Sequence, residues 1–201
     1  WIRRPTQQSS RTQFLKRFLM SPYFNQQAAY CPLIKQALRG YKAPIWHIVI
    51  DRTTLVPHRL DLLMISLSFR KRAVPLGWQL LKFGCTGSAT QIELFERLEG
   101  LIPAKQAVVV HGDTEFGSVP VMRFIRRHSG WDFILAQPSH TYLEEPSEQW
   151  HYLGDVPVKP RHPVYHSQVA WTKEHRYGPV NLFAFHAPHH NGATSPRYER
   201  R

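Results

Sequence analysis

The sequence predicts an α/β domain on one mixed sheet, with elements in the order β-β-β-α-β-α-β over residues 45–137. Three observations predict it. Residues 45–83 hold three apolar, β-branched-rich runs joined by short connections, the pattern of an antiparallel meander. Two later stretches, opening at Thr90 and Ser118, switch to helical spacing. Each is followed by a short apolar run, over 106–110 and 131–136, of the kind found inside a sheet.

The elements follow in order. The first 44 residues read as helical. Phe14, Leu15, Phe18 and Leu19 share one helix face, Pro22 interrupts, and Tyr30, Leu33, Ile34 and Leu38 share a second face that Gly40 closes. A plain helical hairpin and part of a helical DNA-binding segment both fit this pattern. A buried strand over 45–50 ends at Asp51. A second strand over 59–69 carries Leu60, Leu62, Met64, Ile65 and Leu67, too apolar for a surface element. Arg70-Lys71-Arg72 makes the turn, and a third strand covers 74–83.

Thr90 and Glu93 have the spacing of a capping box. Ile92, Leu94, Phe95 and Leu98 form the buried stripe of that helix, and Gly100 ends it. The strand over 106–110 runs into His111-Gly112-Asp113. Ser118 is placed to cap the next helix, with Pro120 in its first turn. Val121, Met122 and Ile125 face the core, Gly130 ends the helix, and residues 131–136 give the fifth strand. A three-strand meander followed by two crossover units is the order of the ribonuclease-H-like fold.

Beyond residue 139 the texture changes. Glu144, Glu145 and Glu148 occur among Pro146, Pro157, Pro160 and Pro163, with strand-like pieces over 165–172 and 180–185. The expected organisation is a helical segment over 1–44, a core over 45–139, a β-rich insertion over 140–191, and the start of a final helix over 192–201.

Charge and composition limit the function. Lys and Arg number 26 against 14 Asp and Glu, a formal net charge of +12, which favours a polyanionic partner. No apolar run approaches the roughly 20 residues of a membrane span. No amphipathic helix has a membrane binder's apolar face. Nucleic acid therefore leads over a membrane surface. Two distant cysteines, Cys31 and Cys85, exclude a disulfide scaffold and point to a reducing, cytoplasmic compartment. The chain opens at Trp1 within a basic stretch, which reads as a fragment of a longer open reading frame.

Two carboxylates stand out by position. Asp51 follows the first strand and Asp113 the fourth, and in this topology those strands are parallel neighbours at the centre. Their C-terminal ends lie side by side, where open α/β sheets bind ligands. Two carboxylates there repel unless a cation lies between them. Hard oxygens suit Mg²⁺, and two such ions clamp the attacking and leaving oxygens of a phosphodiester displacement. Gly112, before the second acid, allows close backbone approach to a ligand.

Several motifs now carry a resemblance. Ile50-Asp51-Arg52-Thr53-Thr54 resembles the strand-end D-x-T of insertion-sequence transposases of the DDE superfamily. Arg72-Ala73-Val74-Pro75-Leu76-Gly77-Trp78 is similar to that group's R-A-x-P-L-x-W. Gly112-Asp113-Thr114-Glu115-Phe116 is similar to its G-D-x-x-F, and Trp131-Asp132-Phe133 to its W-x-F strand. Tyr198 and Arg201 match the Y-(2)-R opening of its Y-(2)-R-(3)-E-(6)-K signature, whose glutamate falls four positions past Arg201. The motifs extend over about residues 10–201.

The resemblance implies Mg²⁺-dependent cleavage and strand transfer at transposon ends. Asp51 and Asp113 would be catalytic, metal-holding residues for two Mg²⁺ ions, with Mn²⁺ as a substitute. The partner would be double-stranded DNA, both terminal inverted repeats and target, and a dimer on DNA is one assembly this allows. A nuclease or resolvase of the same fold is an alternative. So is a catalytically inactive DNA-binding remnant, because the third acid is absent from the sequence.

Further residues bear on the chemistry. Arg52, Arg70, Arg72 and Arg201 are candidate phosphate contacts. Glu115 is near enough to Asp113 to be an auxiliary ligand. His186, His189 and His190, and His162 with His166, lie in Pro-rich sequence without the helical spacing of a zinc site. Cys85 lacks an oriented base. Trp78 and Trp131 read as core residues.

Overall fold

The computed structural model describes residues 9–10, 13–14, 17, 21, 26–84, 86–98, 100–127, 131–146, 149–188 and 194–200, with backbone alone at 26–27, 186–188 and 194–200. The chain divides into two compact units, Trp1–Lys42 and Ala43–Arg201. No described helix is long and apolar enough to cross a membrane.

In the first unit, Ser9, Ser10, Gln13, Phe14 and Arg17 are helical. Leu15, Phe18, Leu19 and Pro22 lie outside the described residues, as do Gly130 and Glu148 of the second unit. Helix α1 spans Gln26–Arg39. Ile34 and Leu38, four apart on one face, are buried as their spacing predicts, whereas Leu33 is 64% exposed. One turn position separates it from the stripe, about 100° around the helix.

The second unit opens with strands β1 (Ile45–Val56), β2 (Leu60–Phe69) and β3 (Arg72–Lys82). Helix α2 (Ser88–Glu96), strand β4 (Ala107–Gly112), helix α3 (Val119–Arg127) and strand β5 (Trp131–Ala136) follow. Strands β6 (Tyr142–Glu144), β7 (His151–Tyr152), β8 (Val164–Trp171), β9 (Tyr177–Pro188) and β10 (Thr194–Arg200) complete it. The strand order is β3-β2-β1-β4-β5-β10-β9-β8-β6-β7. β1 is antiparallel to β2 and parallel to β4, and β4 is parallel to β5. The first five strands and their two helices therefore make a mixed α/β arrangement compatible with a ribonuclease-H-like fold.

Period-2 alternation sorts the side chains. Trp46, Ile48 and Ile50 of β1, Leu63, Ile65 and Leu67 of β2, Val108 and Val110 of β4, and Phe133 and Leu135 of β5 are buried. By register they occupy one face of the sheet. The helices pack there. A Cβ on Gly77, which is paired with Ile65, would lie 3.4 Å from Leu98 and 3.5 Å from Leu94. The rings of Phe95 in α2 and Phe124 in α3 are 6.3 Å apart. Each such aliphatic or aromatic side chain contributes roughly 1.5–3 kcal/mol on burial.

Four expectations are corrected. β1 does not stop at Asp51; it runs on to Val56, because β2 continues to pair with it as far as Val56↔Leu60. The Thr90–Glu93 capping box is not formed. α2 begins earlier, with Gly87 at its N-cap and no side-chain cap, so Thr90 lies inside the helix. Ser118 does not cap α3 through its hydroxyl, which is buried without a partner among the described residues; its carbonyl accepts from Met122 N–H at 3.1 Å.

The last correction concerns the C-terminal segment. Residues 194–200 form strand β10 rather than the start of a helix. Antiparallel pairing to β5 (Glu199↔Ala136) and β9 (Tyr198↔Ala184) joins 142–188 to the same sheet. The segment is held by β9 along its whole length, Thr194↔Pro188 to Arg200↔Leu182, and its last two residues also meet the edge of β5.

Candidate active site

The β1–β4 register determines where the two acids stand. The parallel ladder pairs His47 with Val109 and Val49 with His111. Carried two residues further on each strand, it brings Asp51 level with Asp113. Asp113 keeps an extended backbone, φ −77° and ψ −170°, so the alternation persists through it. Both acids thus project from the sheet face opposite α2 and α3, on strands about 5 Å apart. Both are exposed. Neither forms an ion pair among the described residues.

One oxygen of Asp113 is used internally. Its Oδ1 accepts the Glu115 N–H at 2.9 Å and so caps the 3-10 turn Thr114–Phe116. The donor set is then two level, exposed carboxylates of hard oxygens, which fits Mg²⁺ or Mn²⁺ with water completing the shell. No third His, Cys, Asp or Glu joins them among the described residues.

Gly112 serves the core. A Cβ there would lie 2.9 Å from Phe116 Cβ, 3.0 Å from Leu135 Cδ2 and 3.1 Å from Ile50 Cγ2. Its side faces the helices, away from Asp113. On this side Gly112 instead makes a close approach to the two neighbouring strands and the turn that follows it.

His47 and His111 escaped the sequence reading. They lie on the face of the two acids, and His47 Nδ1 is 2.9 Å from His111 Nε2. Even spacing was the available signal: His47 is four residues before Asp51 and His111 two before Asp113, so each pair shares a strand face.

Arg52 points to the other face. Its Nη1 donates to Asp61 Oδ2 at 2.8 Å and its Nε to Glu115 Oε2 at 2.8 Å. Asp61 is fully buried within β2 and also accepts from Thr54 Oγ1 at 2.9 Å and Gly84 N–H at 3.1 Å. Burial pushes its carboxyl upward, but the hydrogen bonds from Gly84, Thr54 and Arg52 outweigh this and hold it below the ordinary value. Hydrogen bonds to Asp61 and then Glu115 raise the Arg52 guanidinium further, so it stays charged. Glu115 also accepts from the Thr86 hydroxyl. Two carboxylates of the chain itself thus engage Arg52, which directs it toward positioning, and Glu115 is held on the face away from Asp113's carboxylate. Asp61 had one sequence signal, the only charge inside a mostly apolar strand.

The remaining cationic candidates lie elsewhere. Arg70 occupies the β2–β3 turn with φ 55°, its guanidinium 5.3 Å from the Phe69 ring centre, and Arg72 is paired with Phe69. Asp51 is paired with Met64. The stretch of β2 from Met64 to Phe69 separates these levels, roughly 17 Å at the usual rise of a strand. Arg70 and Arg72 are therefore brought together with each other and not with the acids. Arg123 and Arg126 of α3 stand over the Tyr177 ring at 5.9 and 5.8 Å, and Arg126 donates to Pro179 O at 2.8 Å. Tyr198 lies on β10, where only its backbone is described; Arg201 lies outside the described residues.

The histidine groups show no metal cluster among the described residues. His166 lies on β8, with Nδ1 2.8 Å from Glu145 Oε2. His189, His190 and Cys85 lie outside the described residues. Trp131 packs edge-on to Phe95 at 6.5 Å between centroids.

No protein-family model and no curated protein matches the chain in sequence. Among solved structures it is similar to a piggyBac transposase synaptic complex with hairpin DNA, at 13% identity and a TM-score of 0.49. That match covers 97% of this chain and 40% of the other. It is also similar to an Argonaute, Aa-Ago with externally bound siRNA, at 11% identity and a TM-score of 0.34, over 98% of this chain and 30% of that one. A further match is an Aquifex aeolicus Argonaute, at 11% identity and a TM-score of 0.32, over 80% and 22%. The chain spans less than half the length of each, and none of the three fixes its activity.

Proposed function

We propose that residues 43–201 form the ribonuclease-H-like core of a transposase that cleaves DNA at the ends of a mobile element and joins it to a target. The observation that supports this reading most is the β1–β4 register, which pairs Val49 with His111 and, carried two residues further, sets Asp51 beside Asp113 on one sheet face. The D-x-T, R-A-x-P-L-x-W, G-D-x-x-F and W-x-F motifs, in that order, support the transposase class. The net charge of +12 supports a DNA partner.

Mg²⁺ held by Asp51 and Asp113 would supply the Lewis acid for in-line displacement at a phosphate. The chain's own contribution is to carry one carboxylate on β1 and the other just past the end of its parallel neighbour β4, on one sheet face. In the family's pattern the third carboxylate is the glutamate four positions past Arg201. A nicking assay on supercoiled DNA with Mg²⁺ tests the assignment. Asp51→Ala and Asp113→Ala should each abolish nicking, and nicking at the parent rate by both would overturn it. DNA binding with no cation-dependent cleavage by the parent would favour a binding remnant.

A further inference from the structure

The two acids are joined by a continuous path that runs through Arg52 and Glu115. Arg52 follows Asp51 directly. Its guanidinium reaches Glu115 through Nε, and the Glu115 N–H is donated to Asp113 Oδ1. Arg52 is itself anchored, because Nη1 meets the fully buried Asp61. A planar guanidinium spanning two carboxylates has one favoured orientation, so the arrangement resists rotation better than a point charge would. Glu115 is held from its far side by Thr86, which precedes α2.

The consequence concerns Asp113. Its backbone leaves β4 at Gly112, so the ladder no longer restrains it. What restrains its side chain is the Glu115 N–H, and what places that N–H is the turn whose Glu115 side chain Arg52 grips. We propose that Arg52 and Glu115 are a positioning pair that fixes Asp113 relative to Asp51, leaving Asp113 Oδ2 directed at the shared cation. The pair acts through the two acids and does not touch the cation. This inference rests on the reading of Asp51 and Asp113 as cation-holding carboxylates.

Mn²⁺ binding to the full chain, followed by the electron paramagnetic resonance signal of free ion, separates the two ideas. Asp51→Asn and Asp113→Asn test the cation site. Arg52→Lys and Glu115→Asp keep every charge but shorten or blunt the grip. Each charge-conserving variant should weaken Mn²⁺ binding about tenfold, the lower end of the effect of outer-shell partners on metal ligands. Ile125→Val, a core change on α3, provides a control of lowered melting temperature and should bind Mn²⁺ as the parent does. If the Asn variants lose binding while Arg52→Lys and Glu115→Asp keep it, the positioning pair is wrong and the cation site stands. If the Asn variants bind like the parent, the cation site falls and the pair with it. If Ile125→Val weakens binding as much as the charge-conserving variants at equal melting temperature, the effect is general destabilisation and the pair is wrong. Should Arg52→Lys fail to fold, Glu115→Asp alone decides.

Discussion

His47 Nδ1 lies 2.9 Å from His111 Nε2, a side-chain hydrogen bond across the β1–β4 junction on the face that carries Asp51 and Asp113. Of the two facing nitrogens, one must carry the proton and the other must accept it. The bond ties the central parallel strands together below the acids. In a double-mutant cycle with His47→Ala and His111→Ala, the coupling should be about 0.5–1.5 kcal/mol by urea denaturation. Additive losses would show that the pair contributes no mutual stabilisation.

Asp51 and Asp113 project from one sheet face with no ion pair among the described residues; if they hold a divalent cation as proposed, that cation should stabilise the fold by mass action. At a Mg²⁺ concentration 100 times its dissociation constant the gain is about 2.7 kcal/mol, read as a rise in melting temperature. Asp51→Asn and Asp113→Asn should lose that rise. In metal-free buffer both variants should stay within about 0.5 kcal/mol of the parent, since both sites are exposed.

Gly112 has no room for a methyl group, because a Cβ there would meet neighbours at 2.9–3.1 Å on three sides. Gly112→Ala should destabilise the chain by about 1–3 kcal/mol, the usual cost of overpacking. A lowered urea midpoint at unchanged slope is the expected result.

Asp61 makes stability depend on pH. Its folded carboxyl titrates below the ordinary value of 3.8, so its contribution is complete above that value and fades as pH falls through the lower folded one. Acid denaturation of the parent should therefore be steeper below pH 3.8 than that of Asp61→Asn, which lacks the titrating group. The measurement is unfolding free energy from urea titrations at stepped pH.

Arg70 and Arg72 lie at the end of the strands remote from the acids. If they contact phosphate, Arg70→Ala and Arg72→Ala should each lower the salt slope of DNA binding by about 1 without sequence preference. Mn²⁺ binding should be unchanged in both. An unchanged slope removes the hairpin tip from the DNA surface.

Local signals carried far in this chain. The strand over 131–136 is found at those residues because a continuous apolar run between turn signals has few other solutions. The β2–β3 turn falls at Arg70, as the charge cluster implied. Helix ends were harder to read. Thr90 looked like a cap, yet the helix begins at Ser88, because the Gln91 side chain turns back to Thr86 O at 2.7 Å and serves the entry to the helix. Residues 194–200 carried a helical signature and pair as a strand, since the partners they meet, β9 along their whole length and β5 at two residues, are features of the assembled sheet and leave no mark on those seven residues.

By itself the sequence determined the meander, the two crossover units and the association of one acid with each of two central strands, Asp51 with β1 and Asp113 just past β4. Periodicity and turn residues act over a few positions, and these features need nothing more. The tertiary structure alone decided that Asp51 and Asp113 stand level, that His47 meets His111, and that Arg52 turns from solvent to Asp61 and Glu115. Alternation says which face of its own strand a side chain takes. The offset between β1 and β4, which lie far apart in the chain, is a matter of tertiary pairing, Val49 with His111, and that offset sets how the two acids stand to each other.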